Sequence, residues 1–451
     1  MSSDSGSAGT AAAEAAGAIR AVGSIAGSGA AQGAGGGWRR GAGVAGAALG
    51  VLAAGAAVGV AVERLTVGRG MRRKARLALD AAGPYGTLRG TPGTVLAEDG
   101  TRLYYEVDEP GGPGGPGGPG GPGGPGGPGG PGRSGGSDGE AQAPASRRLF
   151  GIRRAPAAPP LTVVFSHGYC LSQDSWHFQR AALRAAGVRA VFWDQRSHGR
   201  SERSRTEAVS IDLFGRDLRA VIDAAAPEGP LVLVGHSMGG MTTMALAAQH
   251  PGLIAERVVG TAFLGTSSGG LAENTYGLPA AGMSLVRRLV LPGAFKLMTA
   301  RPELVEKGRR ATADLFAGVL RWYSFGSKDV DPAVVRFSER LIEATPVDVV
   351  AAFYPVFAEH EKREALCAFE DLPVVVVAGD KDLLTPSRHS EAIAEALPDA
   401  RLVLLEDTGH LVMLERPEVV IAQLGDLLAA AAEGGALERG QRAAAGARGR
   451  A

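Results

Sequence analysis

From Leu161 to about Leu428, short apolar runs alternate with stretches of helical period, and no other feature restricts the fold as strongly. LTVVFSH, RAVFWD, LVLVGH, RVVGTAFLG, LPVVVVAG and ARLVLLE are continuous in apolar residues, as strands buried on both faces are. Between them, Trp176 to Ala186, Ile211 to Ala225 and Met238 to Gln249 carry helical spacing. Strand, helix and strand in succession imply right-handed crossovers, and hence a mostly parallel, doubly wound α/β sheet with helices on both faces. Ligands in such sheets bind beyond the carboxyl ends of the strands, so functional residues are expected just after the apolar runs.

Ahead of this region, TVLAEDGTRLYYEV is two short runs joined around Asp99-Gly100, a hairpin signal. Seven GGP triplets then fill residues 111–131. Collagen needs a longer array with side chains at the X position, so residues 110–158 are expected to be a disordered insertion. Residues 1–37 are Gly, Ala and Ser with too little apolar surface to fold, and the tail 431–451 is expected to be disordered.

Residues 41–62 carry no charge, and as a helix they would reach about 33 Å, enough to cross a bilayer. The stretch is weakly hydrophobic, with six glycines and two leucines. A membrane-spanning anchor is the expectation taken here; a cleaved export signal led by Arg39-Arg40 and a soluble low-complexity helix are the competing readings. Arg64, Arg69, Arg72, Arg73, Lys74 and Arg76 follow in the linker 63–92. The positive-inside rule then puts the remaining chain in the cytoplasm, and the basic cluster could lie on anionic headgroups. Cytoplasmic or exported locations are the alternatives. A formal net charge of +1 argues against nucleic acid as a partner. Cys170 and Cys367 form no metal-ligand or CxxC spacing. No metal or organic cofactor is expected.

Gly235-His236-Ser237-Met238-Gly239 fits the pattern G-x-S-x-G, but in a chain with 69 glycines so do the stretches centred on Ser134, Ser137 and Ser267. Context separates them. Ser134 and Ser137 have no strand before them, and Ser267 has no helix behind it. Ser237 follows LVLV and opens MTTMALAAQH, so it stands on a sharp strand-to-helix turn that small neighbours tolerate. Free N–H groups of the helix start there and stabilise developing negative charge.

A serine hydroxyl needs a base to take its proton, and that base needs an orienting carboxylate. His410, in LEDTGHLVMLERPE after the last strand, is the candidate base. His236 reads as packing beside the nucleophile, and His198 in DQRSHGRS as ordering its turn. His177, His250, His360 and His389 read as solvated or structural. The carboxylate candidates follow LPVVVVAG: Asp382, and Asp380 two residues away, which spacing alone leaves open.

Four signatures stand in order: His167-Gly168-Tyr169, DQRSHGRS, GHSMGG, and the GDKDLLTP and DTGH pair. With them, residues 93–430 resemble the α/β-hydrolase superfamily in its branch of serine esterases and lipases. The resemblance implies Ser237, Asp382 and His410 as the triad, with Asp382 at the third position after the glycine. It also implies an oxyanion hole from the backbone N–H groups of Tyr169 and Met238. The usual RGHG turn reads Arg196-Ser197-His198-Gly199 here. Residues 271–371, helical in period and rich in aromatics, look like a helical cap over the catalytic face. The expected function is cleavage of small-molecule or lipid carboxylic esters. A cofactor-free haloperoxidase, perhydrolase or C–C bond hydrolase on the same fold is the alternative, and a non-catalytic binding module is the reading from a different class.

Overall fold

The computed structural model describes residues 85–111, 159–206, 208–277, 279–311 and 313–433. Among these residues eight strands form one sheet: β1 (Thr91–Leu96), β2 (Arg102–Asp108), β3 (Thr162–Ser166), β4 (Arg189–Asp194), β5 (Leu231–His236), β6 (Val258–Leu264), β7 (Val374–Gly379) and β8 (Arg401–Leu405). Their order across the sheet is β1-β2-β4-β3-β5-β6-β7-β8. The hairpin expected around Asp99-Gly100 forms, with Gly100 at φ 79° in its turn, and β2 pairs antiparallel with β4. All other neighbours are parallel, so the six apolar runs supply the six parallel strands.

Continuous apolar runs are needed because both faces are covered. Val163, Phe165, Phe192 and Val234 point into one layer, packed by Trp176, Leu183 and the helix Pro417–Glu433. Val164, Val191, Leu233 and Phe263 point into the other, packed by the helices Ile211–Ala225, Met238–Gln249 and Ser387–Ala396. β8 departs from the expectation of a buried strand. It closes the sheet edge, and Leu404 is exposed there. Between β6 and β7 the described residues form helices and no strand, among them Leu291–Ala300, Ala313–Ser324, Pro332–Glu343 and Val347–Phe353. The last helix continues to Glu433, three residues past the boundary placed at 430.

Residues 1–37 and 41–62, most of the linker 63–92, the GGP array from residue 112 onward and the tail beyond Glu433 lie outside the described residues. The single-pass membrane location is corrected: no described helix is long and apolar enough to cross a membrane. The apolar stretch on which that expectation rested is mostly glycine and alanine.

A buried ionic cluster fastens the antiparallel hairpin to the rest of the sheet. Arg180, on the helix His177–Ala185, donates to Glu106 Oε2 at 2.7 Å and to both oxygens of Asp108 at 2.8 and 2.9 Å. Arg184 adds a second guanidinium on Asp108 at 2.7 Å, and Gly90 N–H donates to Glu106 at 2.9 Å. Burial alone would raise both carboxyls. The Gly90 amide and Arg180 at Glu106, and the two arginines at Asp108, instead hold them below their usual values. A carboxyl lowered in the folded state contributes stability that is present above its ordinary range and is lost as pH falls through the lowered value. Removing the central cation takes the buried guanidinium from Glu106 and leaves Asp108 with Arg184 alone. Arg180→Met is therefore expected to lower the unfolding free energy at pH 7 by about 3–5 kcal/mol in urea titrations; a loss below about 1 kcal/mol would contradict the role given to the cluster.

Candidate active site

The turn from β5 into the helix Met238–Gln249 puts Ser237 at φ 50° and ψ −118°, a conformation that L-residues rarely adopt. Close approach enforces it. A Cβ at Gly235 would lie 2.6 Å from the Gly239 carbonyl carbon, and one at Gly239 only 2.0 Å from Ser166 O. The third close glycine is Gly168, where a Cβ would meet His236 Nδ1 at 2.6 Å and Ser237 Cβ at 3.2 Å. Ser237 N–H donates to Leu264 O at 2.9 Å, and the Thr266 hydroxyl donates to Ser237 O at 2.7 Å. The backbone is thus pinned from both sides while the side chain faces a cavity.

His410 lines the same cavity from the loop after β8. Its Nδ1 lies 2.7 Å from Asp382 Oδ2, and both residues are buried. With Nδ1–H donating to the carboxylate, the neutral ring carries its lone pair on Nε2, the form a general base requires. Asp382 is fixed in turn: Oδ1 accepts from the Leu384 and Thr385 amides at 2.8 and 2.9 Å, and Oδ2 from the Thr385 hydroxyl at 2.8 Å. Asp380 points elsewhere, accepting from Thr408 N–H at 3.2 Å beside Lys381. The geometry pairs His410 with Asp382. Among the described residues, neither the Ser237 hydroxyl nor His410 Nε2 is bonded to another group, so both remain available to a molecule in the cavity.

His236 packs beside this pair, its ring 4.8 Å from that of His410, and its Nε2–H donates to His410 O at 3.0 Å. Burial, reinforced by His410, lowers its basicity well below the usual value, so it stays neutral and acts as a brace. His198 orders its turn as expected: it is buried, with Nδ1 2.9 Å from Arg196 O, and burial takes it down to about 4. Ser197, where the resemblance expects glycine, holds φ 64°.

Tyr169 and Met238 follow β3 and β5 at the same end of the sheet, and neither amide has an acceptor among the described residues. The loop carrying Tyr169 is held by a buried polar chain. His167 Nδ1–H donates to Gly168 O at 2.7 Å, and its Nε2 accepts from Gln195 N–H at 3.0 Å. The Gln195 side chain donates to His167 O and accepts from the Thr242 hydroxyl at 2.9 Å, on the helix that begins with Met238. Gln195 and Thr242 therefore tie the two amide-bearing segments together. Neither was singled out in the sequence, because nothing marks a glutamine after a strand as a brace. Thr385 was also missed, although Asp-x-x-Thr is a local signal for a carboxylate accepting from its own turn.

Of the solvated and structural readings, His360 and His389 take the structural one. Both are buried and both hold Ser267: His360 Nε2 its carbonyl at 2.9 Å and His389 Nδ1 its hydroxyl at 2.9 Å. This second serine–histidine pair is sealed, since Ser267 has no exposed surface.

A family match, described as the α/β-hydrolase fold, spans residues 162–417, more than half of the chain. The chain belongs to the α/β-hydrolase family. This hydrolase is 28% identical over 267 residues to a putative non-heme bromoperoxidase of Mycobacterium tuberculosis, covering 57% of this chain and 90% of that protein. It is 29% identical over 262 residues to an sn-1-specific diacylglycerol lipase of Mus musculus, covering 57% and 77%. Among solved structures, an enol-lactonase from Burkholderia xenovorans aligns with a TM-score of 0.51 at 22% identity, covering 75% of this chain and 100% of that one. An esterase from Rhodococcus sp. aligns at 0.52 and 19%, covering 75% and 98%. The structural likenesses establish the fold.

The Thr385 hydroxyl donates to the carboxylate and lies 3.2 Å from His410 Nδ1. Thr385→Val is expected to lower kcat on any turned-over substrate by about 10- to 100-fold, the scale of one hydrogen bond to a charged group. KM should change little, and Thr385→Ser should recover most of the rate. A valine variant at full kcat would remove Thr385 from the site.

Proposed function

We propose that this hydrolase cleaves carboxylic esters by nucleophilic catalysis at Ser237. In this reading His410 Nε2 takes the hydroxyl proton as Oγ adds to the ester carbonyl, and the Tyr169 and Met238 amides receive the negative oxygen. Collapse expels the alcohol, which leaves with the proton from His410. Water, deprotonated by the same imidazole, then hydrolyses the acyl-enzyme and frees the acid. Asp382 keeps the ring in the right tautomer and stabilises the imidazolium. The observation that carries the reading is the 2.7 Å contact of His410 with a buried Asp382, in a ring that shares a cavity with Ser237. The esterase and lipase relatives support the substrate class. The likeness to a putative bromoperoxidase keeps a second reading open, in which hydrogen peroxide takes the place of water in the deacylation step.

A fluorophosphonate probe is expected to label Ser237 and to fail on Ser237→Ala; unchanged labelling of that variant would overturn the assignment. His410→Ala should lower ester turnover by several orders of magnitude and Asp382→Asn by about 10⁴-fold, measured with a chromogenic ester and, for the second reading, a peroxidation assay alongside.

A further inference from the structure

The cavity over Ser237 has a volume of about 270 Å³. Its wall comes from the sheet end and the helical insertion, with Leu271, Leu320, Ile342, Phe357 and Leu384 among its apolar members. No Asp, Glu, Lys or Arg is among the described residues that line it. Four tyrosines face it, and their hydroxyls do little to make it polar. Tyr169 donates its hydroxyl to Val350 O, and Tyr323 donates to Tyr276 O at 3.2 Å. The Tyr276 phenol is raised by burial and by a hydrogen bond with Tyr354, whose ring lies 6.5 Å from its own. The tyrosines therefore present ring surface more than free donors.

Two arginines act on groups of this wall, and both are already engaged. Arg309, which influences Cys170, is paired with Glu306 at 2.9 Å and donates to Glu343 O. Arg287, which influences Tyr276, donates to the carbonyls of Ala272 and Asn274. A carboxylate or ammonium entering the cavity would lose its hydration and find no free counter-charge among the described residues of its wall.

Size sets the second limit. At about 30 Å³ for a water-sized group, the space takes about nine non-hydrogen atoms. The ester group uses three, which leaves about six for the acyl and alcohol carbons held inside.

Resting on the ester reading above, we infer that the cavity selects uncharged esters of short to medium chain, by shape and by the absence of a charge partner among the described residues that line it. Long acyl chains and substrates with a charged end are excluded.

The test uses methyl esters with acid release followed in a pH-stat, and the fluorophosphonate probe run on the same sample. Methyl 4-methylpentanoate and monomethyl succinate have the same shape and differ in an isopropyl against a carboxylate end. The neutral ester is expected to show a kcat/KM at least about 100-fold higher, and methyl hexadecanoate to fall at least about tenfold below it. Leu320→Arg, which puts a cation in the wall, should narrow the neutral-to-charged ratio by at least about tenfold. Comparable kcat/KM for the isosteric pair, or an optimum at hexadecanoate, with Ser237 still labelled, would overturn the substrate class and leave the ester reading standing. No labelling and no turnover of any ester would overturn both.

Discussion

A serine held at φ 50° between a strand and a helix costs on the order of 1–3 kcal/mol in backbone strain, and the end of the sheet is organised around keeping it there. The strain persists because relief is blocked. Gly235 and Gly239 approach the neighbouring backbone too closely for any side chain, so β3, β5 and the helix Met238–Gln249 interlock at that point. The Leu264 carbonyl and the Thr266 hydroxyl bind the Ser237 peptide on its two sides. One turn therefore presents a hydroxyl and also opens a helix whose first amide is unbonded.

The remaining parts are positioned by buried polar groups, since apolar packing is non-directional and cannot fix a loop to a fraction of an ångström. Gln195 and Thr242 join the loop after β3 to the helix after β5. His236 holds the peptide of His410 from below. Glu415 accepts from the amides of Gly326, Ser327 and Gly409, and Leu411 N–H donates to Ser324 O at 3.0 Å, so the helical insertion is tied to the loop that carries His410. Gly326 and Gly409 meet backbone to backbone there, leaving no room for a Cβ on either. The insertion that shapes the cavity is thus coupled directly to the imidazole.

The parallel sheet was legible because burial on both faces writes itself as unbroken apolar runs, and all six appear as strands. The elbow was legible because a helix behind Ser237 separates it from Ser267, which is followed only by a 3-10 turn at Leu271–Glu273. Asp382 and Asp380 could not be separated by spacing alone, and only the turn geometry aims one at His410. The ionic cluster of Arg180 with Glu106 and Asp108 was not legible at all. Its partners stand more than 70 residues apart, across the glycine–proline array, and their charges look like any solvated set. The exposed face of β8 was missed for a related reason, because an edge strand can carry the same apolar run as a central one. The membrane expectation rested on the length of an uncharged stretch, although that stretch is weakly hydrophobic, being mostly glycine and alanine.

The account stands on the claim that Ser237 and the two amides address the same carbonyl, the hydroxyl at its carbon and the amides at its oxygen. The most direct measurement is a crystal structure of the protein inactivated by a small alkyl fluorophosphonate. The account predicts a phosphorus–oxygen bond to Ser237, with the phosphoryl oxygen about 3 Å from the Tyr169 and Met238 amides and His410 Nε2 facing the bonded Oγ. A phosphonate on another residue, or one on Ser237 whose phosphoryl oxygen turns away from both amides, would contradict it.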